Sequence, residues 1–457
     1  MKMAGRGAAV DLTRGKPVRL ILEFAVPLIM GSLFQQVYSL SDTMIAGHVL
    51  GANALASIGS TASLYTLMIG FAMGMSNGCG IVIGRIYGAK DTERLRRASA
   101  MMLLVNLAIG LVLTVLTIAF SDTLMRLLNI PDEILAQARS YMVVIFGGIP
   151  VTVLYNMCAA YMRALGNSRA PLRFLILSCC LNLVLDVLLL VVFRTGVAGA
   201  AWATVAAQAV SVLFSFRYIF REFADFLPRK QDIVPDAGLV REMTANGLSM
   251  AMMSSVVHMG TVIMTSAVNQ LGPAAITADT AARRMFSFIS SPMSNLAASG
   301  AAFISQNYGA REYARVRRGF RDVVLMELAW CLTAGIAMLA LGAWAVQTVT
   351  GTTDSEIIRM GALNLRIGAL LYMPLGTLLA VRQAMQALGM HIVPVLSSSI
   401  ELAMKLACAW LVVPAYGYNG ACLGEPSTWL ACAVFIGGIY LVRRRSLYPD
   451  KKGEVTV

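Results

Sequence analysis

Residues 86–97 read IYGAKDTERLRR, and residues 307–318 read NYGAREYARVRR. The two stretches lie 221 positions apart and share YGA followed by a basic cluster. The same offset aligns LGANALAS (50–57) with LGPAAITA (271–278), and GVAGA (196–200) with GYNGA (417–421). An offset of 223 aligns RALGNSRAP (163–171) with QALGMHIVP (386–394). Four matches in one order identify two homologous halves. The expected organisation is 1–222, a cytoplasmic linker at 223–238, and 239–457.

The halves are made of membrane-crossing helices. The 457 residues are 58% hydrophobic and 13% charged, with a mean hydropathy of +0.70. Soluble domains carry about 25% charged residues. A membrane-crossing helix needs roughly 20 mainly apolar residues. Such runs fall near 18–49, 53–86, 97–121, 134–164, 171–193, 197–220, 239–270, 274–307, 322–349, 355–387, 392–414 and 418–442. The runs are long and do not alternate, which excludes a β-barrel. The expected fold is an all-α integral membrane protein with twelve transmembrane helices in two pseudo-symmetric six-helix bundles. Six spans per half is an even number, so the repeat is parallel, about an axis along the membrane normal. Transporters of that kind bind substrate near the midplane between the halves.

The formal net charge of +13 raises the question of nucleic acid. Its placement answers it. Of 37 Lys and Arg, 29 fall at the two termini and in every second loop. That is the positive-inside bias, and it puts both termini in the cytoplasm with the basic loops against anionic lipid. No nucleic-acid partner is expected. The eight cysteines form no CxxC and read as small packing residues. The N-terminal MKMAGRGAAVDLTRGKPVR is too polar for a cleavable signal. His48, His258 and His391 are dispersed, and no His, Cys or acidic cluster marks one membrane face. Neither an enzyme nor a cofactor is expected.

Against this apolar background, SCCLNLVLDVLLLVVF (178–193) carries Asn182 and Asp186 one helical turn apart. Asp186 lies eight residues before Arg194 at the outer end of span five, and Asp42 lies eight before Leu50 at the outer end of span one. Thr204 lies eight after Gly196, at the outer start of span six. Counting the helical rise puts all three at one depth, roughly 12 Å in. Two acids with no basic partner at membrane depth are functional by default. Two Asp, one Asn and one Thr offer oxygens that suit a proton or a hard cation such as Na⁺.

The second half departs from this pattern. Asp42 maps to Ile263, Asp186 to Ala409, Asn182 to Lys405 and Thr204 to Glu425. Two readings stand: the Lys405 ammonium takes the place of a bound cation, held by Glu425 and by Glu401 one turn away, or it forms only a local pair with Glu401. Asp279 and Arg283 are also spaced for mutual neutralisation, and Arg284 and Arg366 add buried charge. Gly70, Gly74, Gly78 and Gly84 in span two read as a close-packing ladder. Pro27 and Pro150 mark bends in spans one and four.

Together, EFAVPLIMGSLFQQVYSLSDTMIAG (23–47), the YGA-plus-basic loops, RALGNSRAP and NxxxD in span five resemble the multidrug and toxic compound extrusion (MATE) family, in its bacterial branch with an N-terminal ion site. The resemblance implies a V-shaped pair of lobes and efflux of cationic or amphiphilic organic compounds in exchange for H⁺ or Na⁺. It makes Asp42, Asn182, Asp186 and Thr204 the ion-coupling set, Pro27 the span-one bend, and Tyr141 a neighbour of the site. Gln36, Tyr38, Asn156, Asp279 and Arg283 join Tyr141 as the expected substrate path. Ser255 stands near the place where other branches carry a span-seven acid, and ALGMHI (387–392) lacks the acid they carry after span ten. A monomer in a bacterial cytoplasmic membrane is expected. The alternative is a flippase of a lipid-linked precursor, which Arg283, Arg284 and Arg366 would serve.

Overall fold

The computed structural model describes residues 10–127 and 130–447. Lys2, Arg6, Lys451 and Lys452 of the basic tails lie outside the described residues. Among the described residues there is no β-strand.

In the first half the helices are α1 (Pro17–Leu50), α2 (Ala52–Gly88), α3 (Thr92–Ala119), the short α4 (Ser121–Leu127), α5 (Asp132–Gly147), α6 (Ile149–Ala164), α7 (Arg169–Asp186) and α8 (Val197–Glu222). In the second they are α9 (Ala237–Asn269), α10 (Pro273–Gly309), α11 (Tyr313–Thr350), α12 (Ser355–Leu370), α13 (Tyr372–Ala387), α14 (Ile392–Ala407) and α15 (Val413–Leu447). Two spans are broken: α5 and α6 meet at 46°, and α12 and α13 at 54°. The first break is at Gly148, just before Pro150, which has no N–H to give to the carbonyl four residues back. Pro374 sits just after the second. By contrast, α1 runs as one helix through Pro27. Non-helical backbone at Gly417 (φ 58°, ψ −139°) divides α15, so the last two spans are separate. Twelve crossings result, α10 among them despite Asp279, Arg283 and Arg284.

The repeat is written in the backbone as well as in the letters. Positive φ recurs at matched positions: Gly51 and Gly272 (82° and 97°), Lys90 and Arg311 (60° and 59°), Gly166 and Gly389 (88° and 89°), Gly196 and Gly417 (69° and 58°). The Lys90 and Arg311 pair is the most telling. A non-glycine residue in the left-handed region costs about 1–2 kcal/mol, so it is not adopted twice by accident. The loop that follows starts a helix each time, and Asp91 Oδ1 accepts from Arg94 N at 2.9 Å in the first copy.

The chain forms two compact units, and they part inside α1 and α9, not in the 223–238 linker expected from sequence. The first unit is built on Val26–Ala251. The start of α9 belongs to it because glycines admit close approach. An added Cβ at Gly78 would lie 2.5 Å from Asn246 backbone, and one at Gly74 would lie 2.6 Å from Ala251. The glycine ladder is thus a packing surface. Phe223 and Phe226 of the linker segment pack into the same core as Met243, Tyr161 and Met75. The second unit joins Leu12–Ala25 to the chain from Met252 onward. There Arg315 Nη1 donates to Gly15 O (2.9 Å), and Asn307 Nδ2 donates to Leu12 O (3.0 Å). Arg315, read as one of the topology-setting charges, also ties down the chain before α1.

Candidate functional site

Asp186 ends α7 and is completely buried, and the α-helix gives way there to a π-helical stretch, Val187–Val192. One extra residue per turn rotates the remainder of the span, and such insertions recur at functional sites. The carboxyl of Asp186 lies within electrostatic reach of that of Asp42, which is half-buried on α1. Two carboxylates near each other repel when both are charged, so their closeness favours a proton or another positive charge there. Asn182 completes the group. In one orientation of its amide, the nitrogen donates to Asp186 Oδ2 (3.2 Å) and to the Tyr38 hydroxyl, and the oxygen accepts from Thr204 N (3.0 Å). In the other, the nitrogen lies 3.5 Å from Thr204 Oγ1. Asp186 Oδ1 is buried and has no hydrogen-bond partner.

The structure therefore gathers Asp42, Asn182, Asp186, Thr204 and Tyr38 in the first unit. Tyr141 also lies within electrostatic reach of both acids, as does Tyr65 of Asp42. Tyr65 was not anticipated, since one tyrosine in an apolar span carries no signal of its own. Gln36 is half-buried on α1. Asn156 donates to Thr152 O on its own helix (2.8 Å). Every donor around the two acids is an oxygen or an amide, and no Lys or Arg ion pair reaches either of them among the described residues.

In the second unit the matched positions carry a closed charge network. Lys405 Nζ is 3.1 Å from Glu401 Oε1 and 3.1 Å from Glu425 Oε1. Arg382 Nη2 reaches Glu401 Oε2 (2.9 Å), and Arg283 Nη1 reaches Glu425 Oε2 (3.6 Å). Arg283 Nε binds Asp279 Oδ2 at 2.6 Å, and Asn364 Nδ2 donates to Asp279 Oδ1 at 3.2 Å. Three acids meet three bases, so the network is neutral. Here too a π-helical stretch, Cys408–Val412, comes after the key residue. Asp279 and Arg283, expected on a substrate path, are mainly partners of each other. Arg284 and Arg366, expected to be buried, are exposed.

The comparisons with known proteins show the same division into halves. A sequence profile described as MatE matches residues 27–188 and again 249–411. The chain belongs to the MatE family. It is 25% identical over 430 residues to the probable multidrug resistance protein YoeA of Bacillus subtilis, covering 91% of this chain and 92% of that one. It is 22% identical over 349 residues to the multidrug export protein MepA of Staphylococcus aureus, covering 76% and 77%. A solved structure described as the outward-facing conformation of a multidrug resistance MATE family transporter superposes with a TM-score of 0.89 at 20% identity. It covers 98% of this chain and 99% of its own, and shows a shared fold. The MatE chain is thus a multi-pass membrane protein whose relatives carry multidrug resistance and multidrug export names.

Two of the buried charges of this MatE chain that sequence reasoning passed over lie within its spans. Arg382, close in sequence to a basic-side loop, is 4% exposed and binds Glu401 and Ser397. Glu327, in the span-nine run VVLMELAWCL (323–332), is 0% exposed, and neither carboxyl oxygen has a hydrogen-bond partner. An acid in an apolar run with no base within four positions downstream was the available signal.

Proposed function

We infer that this protein is a secondary antiporter that exports cationic or amphiphilic organic compounds in exchange for H⁺ or Na⁺. The reading is carried by the closeness of Asp42 and Asp186 with no basic partner. A buried carboxyl pair is far costlier bare than neutralised. Two kinds of positive visitor meet that need, a coupling ion and a cationic amphiphile, and they compete for it. Asn182 and Thr204 supply further oxygens or hydrogen bonds, a donor set that fits H⁺ and Na⁺ alike. An ion arriving from outside removes the negative charge that retains the organic cation, which then leaves. Coupling requires that the two ion-bound states differ in affinity for the compound. An inward-negative potential assists ion entry by about 2.3 kcal/mol per charge per 100 mV.

The bacterial relatives with multidrug names support the substrate class and a cytoplasmic-membrane location. The distribution of Lys and Arg supports cytoplasmic termini. The test is counter-transport in proteoliposomes with Na⁺ and pH gradients imposed separately. Asp186→Asn is expected to abolish organic-cation-dependent ion exchange while the protein remains folded. Wild-type exchange in that variant would overturn the assignment.

A further inference from the structure

A second feature of the C-terminal unit is a groove of about 270 Å³ between α9 and α10, with Val268 and Ile276 in its mainly apolar wall. Arg283 and Arg284 both line it. The acid in the groove is already satisfied: Asp279 accepts from Arg283 and Asn364. Behind it, Glu425 is held by Lys405 and Arg283. The hydroxyls of Thr265, Thr280 and Ser287 donate to carbonyls of their own helices. Among the described residues Arg284 has no acid partner, so its guanidinium, with the Asn269 amide, is what remains to bind a guest. Arg284 lies eleven residues into α10, roughly 16 Å along the helix from Pro273. An unneutralised arginine inside a membrane span is expensive and calls for an anionic partner.

We propose that this groove binds the carboxylate of an amphiphilic organic acid, with Arg284 as the anchoring residue and the apolar wall holding the body of the molecule. The guanidinium fork matches a carboxylate with two parallel hydrogen bonds. The surplus charge is positive, so the groove selects against the cations that the Asp42–Asp186 cluster favours. A lipid headgroup is fixed at the membrane surface, whereas Arg284 lies well along its span, and this favours a free organic acid. The proposal deepens the antiporter reading and rests on it for the meaning of the bound acid: organic acids join the compounds that the protein handles.

The test uses the full-length protein in phosphatidylcholine nanodiscs and 11-(dansylamino)undecanoic acid, with its primary amide as the uncharged control. The acid is expected to bind at least about tenfold more tightly than the amide. Arg284→Gln should erase that difference, and Arg284→Lys should retain part of it. Arg284 is exposed, so both variants should fold, which elution profile and thermal stability check. Equal binding of acid and amide by the wild type, or an undiminished preference in Arg284→Gln, overturns the proposal. Full displacement of the probe by 20 mol% phosphatidylglycerol, with that lipid retained on the protein, also overturns it in favour of a headgroup site. Binding is measured without a gradient, so a failed antiport assay with an intact acid preference would sink the coupling reading alone.

Discussion

Replacing Lys405 by methionine isolates the charge at the centre of the C-terminal network. The lysine is 1% exposed, and its stem packs on α9, where a Cβ at Gly260 would meet Lys405 Cδ at 2.7 Å. Methionine keeps most of that stem, so the change removes the ammonium with little loss of packing. Taking one partner from a buried ion pair costs about 3–5 kcal/mol. The low end applies here, about 3 kcal/mol, because each stranded acid keeps a second base: Arg382 at 2.9 Å from Glu401, and Arg283 at 3.6 Å from Glu425. For a unit of about 200 residues this is a fall of roughly 6–12 °C in apparent melting temperature. The assay is thermal unfolding of the purified protein in detergent, read out by size exclusion, in a cycle with Glu425→Gln and the double variant. The double variant should be more stable than the sum of the single losses by about 1–3 kcal/mol, since it removes both ends of one contact. Additivity within about 0.5 kcal/mol would refute the claim that Lys405 and Glu425 neutralise each other across helices.

Two further substitutions probe packing and burial. Gly78→Ala should cost at least about 2 kcal/mol and reduce the monodisperse fraction, because the new Cβ would meet Asn246 and Gly247 backbone at 2.5 Å. Gly437→Ala, with nothing within 4 Å, should leave stability unchanged or slightly higher, and equal behaviour of the two would contradict the close α2–α9 approach. Glu327→Met should stabilise the protein by about 1–3 kcal/mol in the same melting assay, since it replaces an unpartnered buried carboxyl with an apolar chain of similar size. A clear loss of stability would mean that this carboxyl has a partner after all.

Much of this was legible from residue order because some constraints act along one chain segment. A bilayer asks for a fixed length of apolar helix, so the twelve spans stand out, and only α10, with three charges, is blurred. The rise of an α-helix is nearly constant, so counting from the span ends singled out Asp42, Asp186 and Thr204 as a group, although the count to Asp186 crosses the π-helical stretch. The same counting paired Glu401 with Lys405, a contact of 3.1 Å in the structure. Arg382 escaped because its closeness to a cytoplasmic loop says nothing about which way its helix faces. Tyr65 escaped because one tyrosine in an apolar span carries no signal of its own. The π-helical stretches after Asp186 and after Ala407 left no mark in the apolar runs VLLLVV and CAWLV.

The sequence by itself determined the twelve crossings, the two repeated halves, and the level at which polar side chains lie, because these depend on segment length, turn backbone and helical rise. Only the tertiary structure decided which side chains meet. It brought Asp42 to Asp186, closed the Arg382–Glu401–Lys405–Glu425–Arg283–Asp279 network, left Arg284 exposed, and moved the division between units into α1 and α9. Contact between helices depends on how each is rotated and how closely its neighbour approaches. Those quantities are set by packing across the whole unit, and no local periodicity carries them.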